Sequence, residues 1–184
     1  MKRVRRQDLL DWATYSDRRD ELRPAAMAAK EARRVRVGEH LTFLFESFET
    51  VRYQIQEMMR IEKLVREDDI AHEIATYNEL LGGDGEVGCT LLVGIEDPAE
   101  RAQRLREWLA LPERVYVDLA DGRRIRARFD ERQRGEGRLS SVQYLKFATG
   151  GEAPVAVGVD LPGLAAETRL SDVQRAALAG DLAG

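Results

Sequence analysis

The longest helical pattern in the chain lies in the central stretch of residues 50–67, TVRYQIQEMMRIEKLVRE. At about 100° per residue, the apolar residues of this stretch fall on one side of a helix. They are Val51, Ile55, Met58, Met59 and Val65. Such a stripe is typical of the buried face of an amphipathic helix. The stretch is therefore predicted to be the central helix of the fold.

Before the central helix, the pattern predicts further helices and then a hairpin. Residues 8–34 have helical spacing in two pieces, with a break near Arg23, because Pro24 fits only a first turn or a kink. In residues 34–46, apolar and polar residues alternate on both sides of Gly38. This alternation is typical of two antiparallel strands joined by a turn.

The second half of the chain is predicted to consist mainly of strands. Asp121-Gly122 lies between two alternating runs and is the strongest hairpin signal in the sequence. The predicted strands are residues 87–95, 115–119, 124–129, 141–147 and 154–159. Further helices are predicted at residues 69–81, 98–109 and, as a last amphipathic segment, 170–182.

Helices beside mostly antiparallel strands, without regular strand–helix–strand alternation, predict an α+β fold. We expect one domain with one mostly antiparallel sheet of five to seven strands, packed by the central helix and the N-terminal helices. The N-terminal helices occupy residues 1–34 and the α+β core residues 35–160. Residues 161–184 form a C-terminal segment that is expected to fray in part.

The composition is that of a soluble globular protein with a charged surface. The chain has 184 residues, of which 43% are hydrophobic and 34% charged, and a formal net charge of −4. This charge argues against nucleic acid and anionic membranes as partners. No run reaches the roughly 18 apolar residues needed to span a bilayer. The basic N-terminus lacks the apolar segment of a secretory signal, so a cytoplasmic location is predicted.

Few residues are available for metal or redox chemistry. Cys89 is the single cysteine, which excludes an internal disulfide and a paired-cysteine redox site. His40 and His72 are the only histidines. With Glu57 or Glu62, His72-Glu73 could form a metal site of carboxylate and imidazole ligands, but this is the less favoured interpretation. No cofactor and no metal are therefore predicted.

Glu62 is the most unusual residue of the central helix. On the same angular count it falls near the middle of the apolar stripe, and Gln54 falls at its edge. A carboxylate among apolar side chains is costly unless it is paired, protonated or bound to something. Glu62 is expected either to pair with an arginine such as Arg52 or to act in a pocket as a general acid or base.

The opposite side of the central helix carries Tyr53, Gln56, Glu57 and Arg60. Glu57 and Arg60 are three residues apart, so they can form an ordinary surface ion pair. If another layer of the protein covers this side, the same residues form a polar network able to hold an anionic or amide-bearing ligand. Both interpretations stay open.

A run of arginines follows the predicted hairpin turn. Arg124, Arg126 and Arg128 alternate with apolar residues and so lie on one face of a strand. Such a face can bind phosphate groups. It lacks the interleaved aromatic residues of single-strand nucleic-acid binders. A solvated edge strand protected by charge is the favoured interpretation, and no nucleic-acid partner is predicted.

Several blocks of the sequence resemble a known bacterial family, the domain of unknown function 3501. The most distinctive block is TVRYQIQEMMRIE at residues 50–62. The other blocks are RRVRVG (33–38), Phe45-Glu46, Tyr77-Asn78, CTLLVGIE (89–96), SSVQYLKF (140–147) and VGVD (157–160). The resemblance extends over residues 8–160.

The family is uncharacterised, so the resemblance implies little about mechanism. Its members often lie near genes for rubrerythrin-like and iron–sulfur proteins, which implies a role around non-haem iron or peroxide stress. Relatives tend to carry histidine where this chain has Gln143, and again where it has Leu161. If those histidines bind metal in relatives, this chain has lost the ligands.

Two functions from different classes follow. The first is an accessory or binding protein whose pocket around the central helix holds a small anionic ligand or engages a redox-protein partner. The binding residues are then Arg52, Tyr53, Gln54, Gln56 and Arg60. The second is an enzyme that uses Glu57 or Glu62 as general acid or base, with an arginine partner. A third, an iron-handling protein, rests mainly on the resemblance. None of them specifies an oligomeric state.

Overall fold

The computed structural model describes residues 1–135 and 137–184. The helices are α1 (Trp12–Glu31), α2 (Phe48–Glu62), α3 (Glu67–Asn78), α4 (Pro98–Glu107), α5 (Leu111–Arg114) and α6 (Asp172–Ala183). Single turns of 3-10 helix lie at Arg6–Asp8 and Glu131–Gln133. The strands are β1 (Arg34–Val37), β2 (Leu41–Phe45), β3 (Glu86–Val93), β4 (Val115–Asp118), β5 (Arg124–Arg126), β6 (Arg128–Phe129), β7 (Arg134–Gly135), β8 (Arg138–Leu139), β9 (Val142–Ala148), β10 (Ala156–Val159) and β11 (Ala166–Arg169).

Across the described residues, the strands form two main antiparallel sheets. One has five strands in the order β1-β2-β3-β9-β6, and the other has four in the order β11-β10-β4-β5. The strands β7 and β8 form a separate two-stranded ribbon. The α+β class predicted from the sequence is confirmed, and the strands expected in one sheet are divided between two.

The main core lies between the two sheets. Phe43 and Phe45 of β2 are completely buried, and Val117 and Val157 bring the second sheet into the same apolar cluster. The helices α4, α5 and α6 contribute Leu105, Leu111 and Leu178 to this cluster. The alternating pattern of β2 thus places its aromatic residues on the inner face, as expected for a strand with one buried side.

The two sheets are joined along both sides. On one side the chain runs directly from β5 to β6 through Ala127, whose backbone N–H donates to the carbonyl of Val115 at 3.1 Å. On the other side, Thr168 Oγ1 in β11 donates to the carbonyl of Arg36 in β1 at 2.7 Å. Alternation along a strand predicts which residues are buried but not where the chain changes sheets. For that reason, the sequence predicted one sheet where the structure has two.

A layer of helices packs around a second apolar core. The central helix α2 contacts both α1 and α3. Its residues Val51, Ile55 and Met59 are each 0% exposed. Ile70 of α3 and Leu81 belong to the same cluster. These three residues of the predicted apolar face are therefore buried as expected, whereas Met58 of the same face is only half-buried.

The central helix ends earlier than the sequence predicted. At its start, Ser47 Oγ accepts from the backbone N–H of Thr50, and Thr50 Oγ1 accepts from that of Ser47 at 2.9 Å. This reciprocal cap fixes the first turn. At its end, Lys63 adopts a left-handed φ of 54° and stops the helix. Val65, expected on the buried face, lies beyond this point and is 71% exposed.

Helix α1 runs unbroken through Pro24, where the sequence predicted a break. Asp11 caps its start by accepting hydrogen bonds from the backbone N–H groups of Ala13 and Thr14. Pro24 has no N–H to donate to the carbonyl of Asp20. Since Asp20 is exposed, water can hydrogen-bond to this carbonyl instead. The helix is therefore one continuous rod beside α2.

The C-terminal segment packs onto the fold. Residues 161–184, expected to fray in part, include α6, and its Leu178 is only 1% exposed. Arg33 pairs with Asp181 of α6 through two hydrogen bonds of 2.7 Å, and both side chains are nearly buried. The last helix is thereby tied to the segment that precedes β1.

A close backbone contact joins the chain leaving α3 to the five-stranded sheet. A Cβ atom built on Gly88 of β3 would lie 1.9 Å from the carbonyl oxygen of Leu80 and 3.0 Å from the backbone nitrogen of Gly82. No side chain fits at such a distance from backbone atoms. This position therefore requires glycine.

Candidate functional site

Glu57 lies on the side of α2 that faces α1. Its carboxylate accepts hydrogen bonds from Tyr15 Oη at 2.8 Å and from Arg19 Nε and Nη2 at 2.8 and 3.0 Å. Arg60 Nη2 donates from 3.4 Å. The helix α1 thus covers this side of α2, a possibility that the sequence left open. Side chains of the two helices form a polar network there.

These hydrogen bonds determine the charge of Glu57. Burial by itself raises the pKa of this carboxyl, but hydrogen bonds from Arg19, Tyr15 and Arg60 outweigh burial and lower the pKa to about 2. Burial and the hydrogen bond to Glu57 raise the pKa of the Tyr15 phenol above its usual value. Glu57 is therefore ionised at neutral pH, and a carboxylate of such low pKa is a weak general base.

Gln56 and Arg60 hold the N-terminal segment against α2. Gln56 is 5% exposed, and its side-chain amide accepts from the backbone N–H of Leu10 at 2.7 Å and donates to the carbonyl of Leu10 at 3.2 Å. Trp12 Nε1 donates to the backbone carbonyl of Arg60 at 3.1 Å. The polar groups of Gln56 are thus occupied within the protein, which gives this residue a structural role.

A cleft of about 320 Å³ opens between α1 and α2 beside this network. Of the residues predicted to bind a ligand, Arg52, Tyr53 and Gln56 line it. Leu10, Leu22, Ala25 and Ala26 supply apolar lining. The ring of Tyr15 lines the same cleft, so its surface combines aromatic, aliphatic and charged groups.

The two arginines that line the cleft differ in their partners. Arg18 pairs with Glu21 on its own helix, with Nη2 and Oε1 3.1 Å apart. Arg52 forms no ion pair with any residue in the described part of the chain, and its guanidinium carbon lies 5.6 Å from the centre of the Phe48 ring. Arg52 is therefore the cation of the cleft that is available to a ligand.

Two carboxylates also line the cleft, and each has a local partner. Asp8 Oδ2 accepts from the backbone N–H of Arg5 at 2.8 Å. Glu49 Oε2 accepts from Ser47 Oγ at 3.2 Å. Both belong to turns or helix starts, where an acidic side chain stabilises exposed backbone N–H groups.

Gln54 and Arg60 do not line this cleft. Gln54 Oε1 accepts a hydrogen bond from Lys30 Nζ at 3.4 Å, and the same Nζ lies 5.0 Å from the centre of the Tyr53 ring. Burial lowers the pKa of the Lys30 ammonium group. The predicted binding set is therefore divided: three of its members share the cleft, and two contact other parts of the protein.

Glu62 is exposed, contrary to the burial predicted from its angle on the helix. It is the last residue of α2. The angular count assumed that the helix continued to residue 67, but the left-handed Lys63 ends it, and no apolar layer covers the last turn there. Within the described residues, the Glu62 side chain forms no ion pair with Arg52 or with any other residue. The chemical role considered for Glu62 depended on its burial, so the exposed position removes the reason for assigning it.

Glu46 is the buried carboxylate that reasoning from the sequence missed. It is 6% exposed, and it accepts hydrogen bonds from Thr50 Oγ1 and Thr90 Oγ1, both at 2.6 Å. Its backbone N–H donates to the carbonyl of Gly88 at 2.8 Å. Glu46 thus joins β2, β3 and the start of α2. The sequence signal for this burial was the position of Glu46 between an alternating strand and the helix cap at Ser47.

The arginines of the second hairpin are paired with carboxylates. Arg124 binds Asp118 through two hydrogen bonds of 2.8 Å. Arg126 binds Asp160, with Nη1 and Oδ1 2.9 Å apart, and Arg128 binds Glu86. Because each guanidinium is paired with a carboxylate from another part of the fold, this face is an ion-paired sheet edge.

Gln143 and Leu161, where the resemblance led us to expect histidine in relatives, are both buried, at 0% and 9% exposure. Gln143 Nε2 donates to the carbonyl of Ser140 at 2.9 Å. Within residues 1–135 and 137–184, no three or more histidine, cysteine, aspartate or glutamate residues lie together as a metal site would require. In the same residues, no helix is long and apolar enough to span a membrane.

A protein of unknown function from Burkholderia pseudomallei K96243 has a similar crystal structure. The two structures superpose with a TM-score of 0.90 at 30% sequence identity, over 98% of this chain and 100% of the other. None of the functionally curated proteins matches the chain. The family model described as protein of unknown function (DUF3501) matches residues 3–182, beyond the span of the blocks that suggested the resemblance. This chain therefore belongs to the DUF3501 family.

Proposed function

We propose that this protein is a binding or accessory protein that holds a small acidic molecule in the cleft between α1 and α2. The observation that carries the proposal is Arg52, whose guanidinium lines the cleft and has no carboxylate partner in the described residues. The aliphatic and aromatic lining fits an apolar ligand body, and Arg52 fits one carboxylate. The volume of about 320 Å³ limits the ligand to the size of a small metabolite.

The geometry favours binding over the enzyme alternative. Glu57 is held ionised by Arg19 and Tyr15, so its carboxylate is engaged and weakly basic. Glu62 lies at an exposed helix end. Neither glutamate has the buried, unpaired setting that raises the pKa of a carboxyl group and makes it a useful general acid or base.

A ligand screen by thermal shift tests the proposal. The panel contains aliphatic and aromatic carboxylic acids together with the uncharged amides of the same molecules. A ligand that binds only the native state raises the melting temperature. We expect acids to raise it and their amides to do so less. If no acid shifts the melting temperature, the cleft is not a site for this class of ligand.

Two variants assign the site and one variant controls for charge. Arg52→Gln removes the available cation, and Ala26→Trp fills the cleft from α1. Both are expected to reduce or abolish the shift. Arg23→Gln removes an exposed arginine that does not line the cleft, and it should leave the shift unchanged. An acid-induced shift that survives Ala26→Trp would place the ligand elsewhere.

The proposal also includes a setting near non-haem iron or peroxide-stress systems, supported by the resemblance to the family. A deletion strain should grow less well than a complemented strain under hydrogen peroxide or iron limitation. Complementation with the Arg52→Gln variant connects the growth defect to the cleft. Equal growth of deleted and complemented strains under both stresses would remove this part of the proposal.

A further inference from the structure

A second groove, of about 1130 Å³, lies between α4 and the chain that leads from β7 to β9. Arg101, Leu105 and Arg106 line it from α4. Arg138, Ser140 and Ser141 line it from the opposite side. The groove thus brings together cations and hydroxyl groups from two separate parts of the sequence.

The groove is cationic, and its described lining contains no carboxylate. Arg101 is fixed in place, because its Nη1 donates to the backbone carbonyl of Ile95 at 2.9 Å. Arg106 and Arg138 are exposed, and neither side chain forms an ion pair or hydrogen bond with the described residues. Their donors are therefore available to an anion.

Ser140 adds a hydroxyl donor to these guanidinium groups. Its Oγ accepts a hydrogen bond from the backbone N–H of Val142 at 3.2 Å, which leaves its O–H free to donate. Guanidinium forks and hydroxyl donors together match the several oxygens of a phosphate group. Leu139, Val142 and the half-exposed Tyr144 supply apolar lining in the same groove.

Three arginines of the adjacent sheet edge do not add to the available positive charge of the groove. The neighbouring Arg124, Arg126 and Arg128 are each paired with a carboxylate, so they do not extend the cationic surface into a stripe. A nucleic-acid backbone needs an extended basic track, and the chain as a whole carries a net charge of −4. A bounded cluster of three arginines fits a small, multiply charged molecule better.

We propose that this groove binds a small phosphorylated molecule through Arg101, Arg106, Arg138 and Ser140. The phosphate group contacts the guanidinium and hydroxyl donors, and the uncharged part of the molecule packs on Tyr144 and the aliphatic lining. The site is separate from the cleft between α1 and α2, so either can fail experimentally without the other.

Calorimetric titration with pyrophosphate and with ATP, at physiological ionic strength, tests the site. The groove variant is Arg106→Gln/Arg138→Gln. The control variant, Arg23→Gln/Arg36→Gln, removes two exposed arginines outside the groove and changes the net charge equally. We expect the groove variant to weaken both ligands by about tenfold or more, because two charge-assisted contacts are lost, and the control to change affinity by less than about twofold.

Each outcome bears on the proposal. Equal losses in the groove and control variants would show binding to net charge only and would overturn the site. Absence of binding by both ligands to the wild-type protein would do the same. Tighter binding of a single-stranded RNA oligonucleotide than of ATP would replace the small ligand by a nucleic acid.

The role of Tyr144 has its own test. Tyr144→Ala should weaken ATP and leave pyrophosphate unchanged, since only ATP has a ring that can stack on the tyrosine. A loss of both ligands would instead indicate that Tyr144 supports the structure of the groove. In that case the contact between Tyr144 and the uncharged part of the ligand is refuted.

Discussion

Protonation of Glu57 in acid should break its ion pair with Arg19 and make the protein markedly less stable. We consider the substitution Glu57→Gln, which keeps the size of the side chain and removes its charge. Arg19 and Glu57 have 28% and 12% of their side-chain surface exposed, so solvent screens the pair only in part. The hydrogen bonds from Arg19, Tyr15 and Arg60 to Glu57 all depend on its ionised carboxylate or are strengthened by it.

The magnitude follows from the pKa of Glu57. Against the cost of burial, its hydrogen bonds lower this pKa from 4.5 to about 2. At 1.36 kcal/mol per unit, the difference corresponds to about 3 kcal/mol of the free energy of unfolding as an upper value. Because the folded-state pKa lies below the unfolded-state one, this stabilisation is fully present above about pH 5 and is lost as the pH falls toward 2.

Urea denaturation of the wild type and of Glu57→Gln between pH 7 and pH 2 measures the effect. We expect a difference of about 2–3 kcal/mol at pH 7 that shrinks steadily below about pH 5. Glu62→Gln makes the same chemical change on the same helix at an exposed, unpaired position, and should cost less than about 0.5 kcal/mol at every pH. A difference for Glu57→Gln that does not vary with pH would refute the electrostatic reasoning.

Two further stability predictions follow from the backbone contacts and the core. Gly88→Ala should lower the free energy of unfolding by at least about 2 kcal/mol, because its Cβ would meet the carbonyl of Leu80, whereas Gly180→Ala in the open interior of α6 should raise it by about 0.5–1 kcal/mol. Met59→Ala, at 0% exposure, should cost about 2–4 kcal/mol, and Met58→Ala should cost less because Met58 is only half-buried. Thermal and urea denaturation measure all four variants; a larger loss for Met58→Ala than for Met59→Ala would show that the helix face is assigned wrongly.

The features that the sequence predicted well depend on residues close together in the chain. The start of α2 follows from the reciprocal cap of Ser47 and Thr50. Its buried face over Val51, Ile55 and Met59 follows from helical spacing. The hairpins follow from alternation and turn residues in the same way. Each of these signals lies within a few residues of the structure that it predicts.

The features that the sequence missed depend on distant residues or on where an element ends. Glu57 is covered by Tyr15 and Arg19, which lie 42 and 38 positions away, so its network was not visible in the helix alone. Glu46 owes its satisfied, buried setting in part to Thr90, 44 positions away. Glu62 was misplaced because a left-handed Lys63 cannot be read from the apolar pattern.

The ion pair between Arg33 and Asp181 has a consequence for biosynthesis. The two residues are 148 positions apart, and Gln174 of the same last helix donates to the carbonyl of Arg34 at 2.6 Å. A nascent chain therefore cannot complete the surroundings of β1 until α6 has left the ribosome. Contacts of such long sequence separation slow folding and prolong the exposure of unpaired strands. Translation that stops before α6 leaves the buried Arg33 without its counter-charge, which makes such chains substrates for cellular proteolysis.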